Sequence, residues 1–540
     1  MRGSLNSSER RFLGNNIPQM GEKMSGKDER LTDLLQRREK LDQGGGPEKV
    51  AKLHKLGKKT AKERVDLLLD PGSYAELDPW VKNRCPDFGL SGMDLGNEGL
   101  IAGWGNIDER RVFVFAHDFS VMGGSLGEAQ GMKVCRLMDM AVKVGSPVVG
   151  LNDSGGARVQ EGMGALHGYC SIFFRNSIAS GWVPQISVIL GPCAGGTVYS
   201  PALTDFVVMV EPHAKMFITG PAVIKAVMGQ EIGFDELGGT QVHAQKTGVA
   251  HFVAASEEEA LKLVQKLLSF MPSNSKEAPP YRKTADPAER LSPELRDAVP
   301  GNSARVFDVR DVISRVVDEG DFLEVQKQFA QNLVIGFARM NGHPVGVVGN
   351  QPRILGGCLD VNASWKAARF VRFCDAFNFP LLTFVDCPGY LPGITQEHNG
   401  IIRNGSKLLY AYSEATVPKI TIVLRKDYGG AYSAMCGKGL GADVVFAFPT
   451  AEIAVMGPEG AANVVFKNEI SQAKDPAAKR REMIDEYRKR FATPYKAAEW
   501  GLVDDILDPQ ELRPKLIGAL SGLKGKTEWR PYKKHSNLPL

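Results

Sequence analysis

The sequence predicts an α/β protein: two homologous domains in tandem, each with helices packed on a mostly parallel sheet. Three observations predict it. Short apolar runs alternate with helical patterns along most of the 540 residues. A stretch rich in Pro, Ser and charge, 271–302, interrupts that alternation once. The sequence after the interruption then repeats the sequence before it at a fixed offset.

Taken in order, residues 1–78 read as a helical segment, because 31–41 and 61–69 have helical apolar spacing and Pro71-Gly72 stops the second run. Residues 79–270 read as a first domain, 271–302 as a linker, 303–515 as a second domain and 516–540 as a tail. The repeat is seen by sliding the sequence by 233 positions. Gly123-Gly124 then falls on Gly356-Gly357, Lys133 on Lys366, Arg136 on Arg369, Pro147 on Pro380 and Asp153 on Asp386. Over 103–157 against 336–390 there are 11 identities in 55, where chance from ordinary composition gives about three. One position further out of step, Gly195-Gly196 falls on Gly429-Gly430, and 205–221 echoes 443–458.

Each half runs in the same local order. An apolar strand (112–115; 345–348) leads to a Gly-Gly loop and then a helix (129–144; 364–377). A second strand (147–151; 380–385) ends in a loop of small residues. A third (186–190; 420–424) ends at the second Gly-Gly. In such sheets function gathers at the carboxyl ends of strands.

Composition excludes several classes. The net charge of +4 gives no reason to expect nucleic acid as a partner. Residues 1–64 alone carry 16 Lys+Arg against 9 Asp+Glu, which reads as a solvated basic helix face. No apolar run is long enough to span a membrane, and the start lacks an apolar signal core. The eight cysteines form no CxxC pair, so reduced and mostly buried thiols are expected. Nucleotide-cradling GxGxxG and GxxxxGK[ST], metal-binding HExxH and the GxSxG elbow are all missing, and no metal site is expected. His117, His167 and His398 lie near loops and read as surface or capping residues. Cys193 reads as a buried, inert thiol.

The glycine loops remain. Gly155-Gly156-Ala157, Gly195-Gly196-Thr197 and Gly429-Gly430-Ala431 leave backbone N–H groups uncovered where helices begin. Two convergent donors of this kind hold a developing oxyanion. For a single Gly-Gly, a tight turn is explanation enough; matched loops in a duplicated domain point to the oxyanion. With no base in sight, the pattern suggests an enolate held by backbone donors and a base supplied by substrate or cofactor.

Longer motifs carry a resemblance. They are KERVDLLLDPGSYAELD (62–78), DFSVMGGSLGE (118–128), DSGGARVQEG (153–162), GPCAGGTVYSP (191–201), GFARMNGHPVGVVGNQP (336–352), DCPGYLPGITQEHNGIIRNGSK (386–407), RKDYGGAY (425–432) and PTAEIAVMG (449–457). Over about residues 25–510 the chain resembles the carboxyltransferase (β) subunits of biotin-dependent acyl-CoA carboxylases, in the propionyl-CoA carboxylase and methylmalonyl-CoA carboxyltransferase/decarboxylase group. The resemblance implies two crotonase-superfamily domains and a homo-hexamer, a trimer of dimers. It implies transfer of a carboxyl group from carboxybiotin to a short-chain acyl-CoA. It makes Gly195 and Gly196 the donors for the thioester oxygen, and Gly430 and Ala431 the donors for the ureido oxygen of biotin. Gly155, Gly156, Ala157, Tyr432 and Ser433 would line the acyl-CoA pocket, with Gly389, Tyr390 and Gly429 on the biotin side. Biotin would arrive on a separate biotin carboxylase or carrier subunit, and coenzyme A as part of the substrate. A cytoplasmic or, in a eukaryote, mitochondrial-matrix location would follow.

Two departures stand out. Propionyl-type members have Asp directly after GGAY, where this chain has Ser433, which leaves the acyl preference open and leans toward the decarboxylase and transcarboxylase branch. The nearest approach to a biotin-attachment motif, Gly131-Met132-Lys133-Val134, lies in an expected helix, and its repeat partner Lys366 favours a structural role. Besides the reverse half-reaction, a scaffold without activity and a crotonase-type hydratase are the competing readings; the hydratase would need a carboxylate near the loops, and Glu161 is the candidate.

Overall fold

The structure is a computed structural model that describes residues 29–93, 95–302 and 305–539; the first 28 residues of the expected helical segment lie outside the described residues. The chain forms two compact units, one up to Glu277 and one from Ala278.

The first unit begins with helices Glu29–Asp42, Pro47–Lys55 and Ala61–Leu68. Thr60 starts the third: its hydroxyl accepts the Glu63 N–H while the Glu63 carboxylate accepts the Thr60 N–H. An eight-stranded sheet follows, with strands β1 (Ala75–Glu76), β2 (Leu100–Ile107), β3 (Arg110–His117), β4 (Val148–Ser154), β5 (Gln185–Ala194), β6 (Phe206–Val210), β7 (Lys215–Phe217) and β8 (Phe252–Ala254). Their order is β1-β2-β3-β4-β5-β6-β8, with β7 beside β5. β1, β2 and β3 pair antiparallel, and every later pairing is parallel. Continuous apolar strands such as β6 are buried on both faces, as a parallel sheet under helices requires.

The second unit has the same sheet again: β9 (Phe322–Val325), β10 (Leu333–Met340), β11 (His343–Asn350), β12 (Leu381–Cys387), β13 (Lys419–Tyr428), β14 (Val444–Ala447), β15 (Glu452–Ala454) and β16 (Asp505–Ile506). The order is β9-β10-β11-β12-β13-β14-β16, with β15 beside β13. The duplication is therefore topological as well as sequential. It extends into the core. Helix Glu128–Val144 buries Val134, Leu137, Met138 and Ala141, and helix Val361–Ala376 buries Ala367, Phe370, Val371 and Cys374, the same four positions at the offset of 233.

Two details differ from the sequence expectation. The Pro-rich stretch carries no strand, but from Ala278 it belongs to the second unit and is pinned there. The buried Arg513 donates to the Pro287 carbonyl at 3.0 Å and to Asp318 at 2.8 Å, and Leu295 is fully buried. The last helix, Leu512–Gly522, buries Leu516, so folded structure continues past residue 515. Among the described residues, no helix is long and apolar enough to cross a membrane.

Candidate functional site

Each unit builds a pair of glycine loops at the carboxyl end of its parallel strands. The first loop of each pair is set by an acid. Asp153 at the end of β4 and Asp386 at the end of β12 are fully buried. Asp153 is held by Lys58 Nζ at 2.6 Å and Arg64 at 3.0 Å, and Arg64 also makes a fork to Glu257. Asp386 is held by Arg425 Nη2 at 2.7 Å and accepts the Lys426 N–H at 3.0 Å. Such charges are tolerated in the interior only when paired and hydrogen-bonded. The backbone carbonyls of these acids abut Gly124 and Gly357: a Cβ would lie 2.1 Å from the Asp153 oxygen and 2.3 Å from that of Asp386. Glycine at the repeat positions is thus a steric requirement. Leu126 and Leu359 then bracket the small-residue loops. Leu126 N–H donates to the Gly156 carbonyl and Leu359 N–H to the Gly389 carbonyl, both across isolated parallel bridges.

The second loop of each pair turns strand into helix. Gly195 has φ 59° and ψ −123°, and Gly429 has φ 57° and ψ −124°. A side chain at this conformation is strained, so glycine is needed at both. Helices Gly196–Leu203 and Gly430–Ala434 start directly after them. A side chain at the next position is excluded in one unit and crowded in the other: a Cβ on Gly196 would lie 2.6 Å from the Tyr169 ring, and one on Gly430 3.3 Å from the Tyr390 ring.

Hydrogen bonding separates the donors from the rest of the loop. The Gly195 N–H is already spent on the Ile218 carbonyl at 3.0 Å, and the Gly429 N–H on the Ala454 carbonyl at 3.0 Å. The next two N–H groups, of Gly196 and Thr197 in one unit and of Gly430 and Ala431 in the other, open their helices and have no backbone carbonyl partner among the described residues. Gly195, expected as a donor, gives its N–H to the carbonyls of Phe217 at the end of β7 and Ile218 just after it, and the positions that match Gly430 and Ala431 are Gly196 and Thr197. Thr197 Oγ1 is itself fixed 2.6 Å from the Tyr169 hydroxyl and 3.4 Å from Ser154 Oγ.

The structure brings Gly155-Gly156-Ala157 beside the Gly195 loop, since Ser154 pairs in register with Cys193 and a Cβ on Gly156 would meet the Ala194 carbonyl at 3.0 Å. It brings Gly389 and Tyr390 beside Gly429 and Gly430, since Cys387 pairs with Asp427. Tyr432 is half-buried, and Ser433 is exposed on its short helix. The residues expected in one acyl-CoA pocket are divided between the units: Gly155-Gly156-Ala157 in the first, Tyr432 and Ser433 in the second.

Other candidates fall into structural roles. Cys193 is fully buried and its thiol is pushed up to about 12 by burial. His117 is not at the surface: it is 3% exposed, and burial pushes its imidazole down to about 4, so it is neutral. His167 and His398 are exposed. Glu161 accepts the Glu128 N–H at 2.7 Å and pairs with Arg158 at 2.7 Å, which ties up the carboxylate that a hydratase would use in the first half. Lys133 is buried and donates to the Leu100 carbonyl, and Lys366 to the carbonyls of Phe329 and Leu333, so neither offers an attachment site. Among the described residues, no group of His, Cys, Asp or Glu is placed to hold a metal ion. The acids Asp153 and Asp386 were visible in the sequence as identities of the repeat; Lys58 and Arg64 gave no such signal.

Comparison with known proteins adds a family. The pattern described as "Carboxyl transferase domain" matches residues 52–538. The chain is 54% identical over 513 residues to a "Propionyl-CoA carboxylase, carboxyltransferase subunit" of Haloferax mediterranei, covering 95% of this chain and 99% of that one. It is 52% identical over 511 residues to the "Methylmalonyl-CoA decarboxylase subunit alpha" of Propionigenium modestum, covering 95% and 99%. A solved structure of transcarboxylase 12S, described as a hexamer assembly with hydrolysed methylmalonyl-coenzyme A bound, superposes with a TM-score of 0.93 at 51% identity, covering 96% of this chain and all of that chain.

Proposed function

The chain belongs to the carboxyl transferase domain family, and from that premise we propose that it catalyses the carboxyltransferase half-reaction of a biotin-dependent acyl-CoA carboxylase, with propionyl-CoA or a close homologue as acceptor. The observation that supports this most is the duplicated donor pair: after each strained glycine, two N–H groups have no backbone carbonyl partner among the described residues.

In this reading the N–H groups of Gly196 and Thr197 bind the thioester oxygen and stabilise the negative charge that develops there when the α-carbon loses its proton. The second pair, Gly430 and Ala431, would hold the ureido oxygen of biotin. Biotin, when bound, supplies the carboxyl group and the basic ureido nitrogen. The chain's own residues bind, orient and hold charge, which accounts for the lack of a protein base. Ser433 tunes the acyl group accepted; Ser433→Asp and Ser433→Ile should shift the ratio of kcat/KM between acetyl-CoA, propionyl-CoA and longer thioesters by about 10-fold. We further infer a hexamer like that of transcarboxylase 12S and a biotin-bearing partner subunit.

The reverse direction, from a methylmalonyl donor, fits the similarities as well: identity to a decarboxylase subunit, 52%, nearly equals that to a carboxylase subunit, 54%. One experiment separates the readings. The native complex is purified, a co-purifying chain is probed for biotin, and ATP-dependent fixation of bicarbonate onto a panel of acyl-CoAs is measured. ATP-dependent fixation supports the carboxylase. Biotin-dependent loss or transfer of the methylmalonyl carboxyl without ATP supports the reverse. Neither, in an intact complex, refutes both.

A further inference from the structure

Asp427 stands on β13 three residues before Gly430 and is 2% exposed. Its Oδ1 is buried and accepts no hydrogen bond. The other acids at the strand ends are neutralised by Lys58 and Arg64 or by Arg425, but no cation among the described residues acts on this one. Burial alone raises its carboxyl to about 8. The titratable groups that face it are Cys387, its register partner on β12, and Tyr432 on the helix after the loop. The Tyr432 hydroxyl lies beside the backbone of Lys438 and Gly439 without a well-formed hydrogen bond. From β15 the register partner is Ile453, which carries no charge.

The first unit shows what this position requires. Cys193 occupies it, paired with Ser154 as Asp427 is paired with Cys387, and its buried thiol is neutral. Both halves therefore place a small, weakly acidic side chain behind the strained glycine. A carboxylate there would set a fixed negative charge close to two N–H groups whose task is to bind an oxygen that carries or gains negative charge. In a low-dielectric interior such a charge is poorly screened.

We propose that Asp427 is a positioning residue that works as a neutral acid, supporting the Gly429-Gly430-Ala431 loop without opposing its donors. This rests on the carboxyl-transfer reading above. The test uses the assembled enzyme. Wild-type kcat for carboxyl transfer should fall about 10-fold between about pH 7 and about pH 9 as Asp427 ionises. Asp427→Asn, which keeps a neutral side chain, should change less than about 2-fold over that range. Asp427→Cys, the residue of the first half, is the second variant should the asparagine fold poorly. Infrared difference spectra supply a readout independent of activity: the carbonyl stretch of a protonated carboxylic acid should be present at neutral pH, disappear as the pH passes about 8, and be absent from both variants. Absence of that band in the wild type at neutral pH overturns the proposal. So does an alkaline limb of equal depth in wild type and variants. If the band titrates as expected but the wild type transfers no carboxyl group, the carboxyl-transfer reading has failed, and the positioning role falls with it.

Discussion

At the scale of single residues, the site is a matter of which backbone N–H groups remain available. Ala431 is fully buried and is the second residue of its helix, in the first turn, whose N–H groups have no partner in the helix. Ala431→Pro deletes one donor, so kcat should fall about 10²- to 10³-fold in protein whose circular dichroism spectrum matches the wild type. Ala431→Ser keeps the donor and is the control. Asp427 yields a second prediction, on stability. Its folded value of about 8 lies above the unfolded value of about 3.9, so the folded state holds a proton that the unfolded state has lost. Stability should therefore decline as pH rises from about 4 to about 8 and level off above. Asp427→Asn should flatten that slope, as read from thermal midpoints of wild type and variant across the range. An equal slope in both would show that Asp427 is ionised in the folded protein.

At the scale of elements, the repeat preserves more than sheet order. The lysines at equivalent positions of helices Glu128–Val144 and Val361–Ala376 reach across to the segment that enters the sheet: Lys133 to the Leu100 carbonyl, Lys366 to that of Leu333, the first residues of β2 and β10. Lys366 also binds the carbonyls of Gln326, Phe329 and Ala330, in a loop where Gln326 and Ala330 have positive φ. Lys366→Met keeps the packing of the stem but leaves these buried carbonyls unpaired. It should cost about 3 kcal/mol or more, since each unsatisfied buried group costs about 1–3 kcal/mol. Denaturant midpoints measure this, and a loss below about 1 kcal/mol would mean that other groups or water take the carbonyls over.

At the scale of the whole molecule, equivalent helices leave apolar side chains uncovered. Pro221–Met228 exposes Val223, Val227 and Met228; Pro458–Val465 and the turn before it expose Val455, Val464 and Val465. Contiguous apolar surface of this kind marks association sites, which supports the inferred hexamer. Light scattering should report about six times the chain mass, and Val227→Glu with Val464→Glu should lower it together with activity. A fully active monomer refutes the shared assembly.

The sequence alone determined the duplication, the mostly parallel sheets and the position of every glycine loop. These follow from periodicity, from glycine where nothing else fits and from identities that recur at a fixed offset, all of them local properties. It did not determine which N–H groups stay free. Gly195 and Gly196 look alike as letters; only the pairing of β5 with β7 brings the Ile218 carbonyl to the first and leaves the second open. It read His117 as a surface or capping residue, where the fold buries it, and gave no sign that Lys58 and Arg64 travel to Asp153 while Asp427 goes without a cation. Such facts depend on which distant segments meet. The tertiary structure settles them because burial and partner, not residue type, decide whether a buried group carries charge and whether a donor is available.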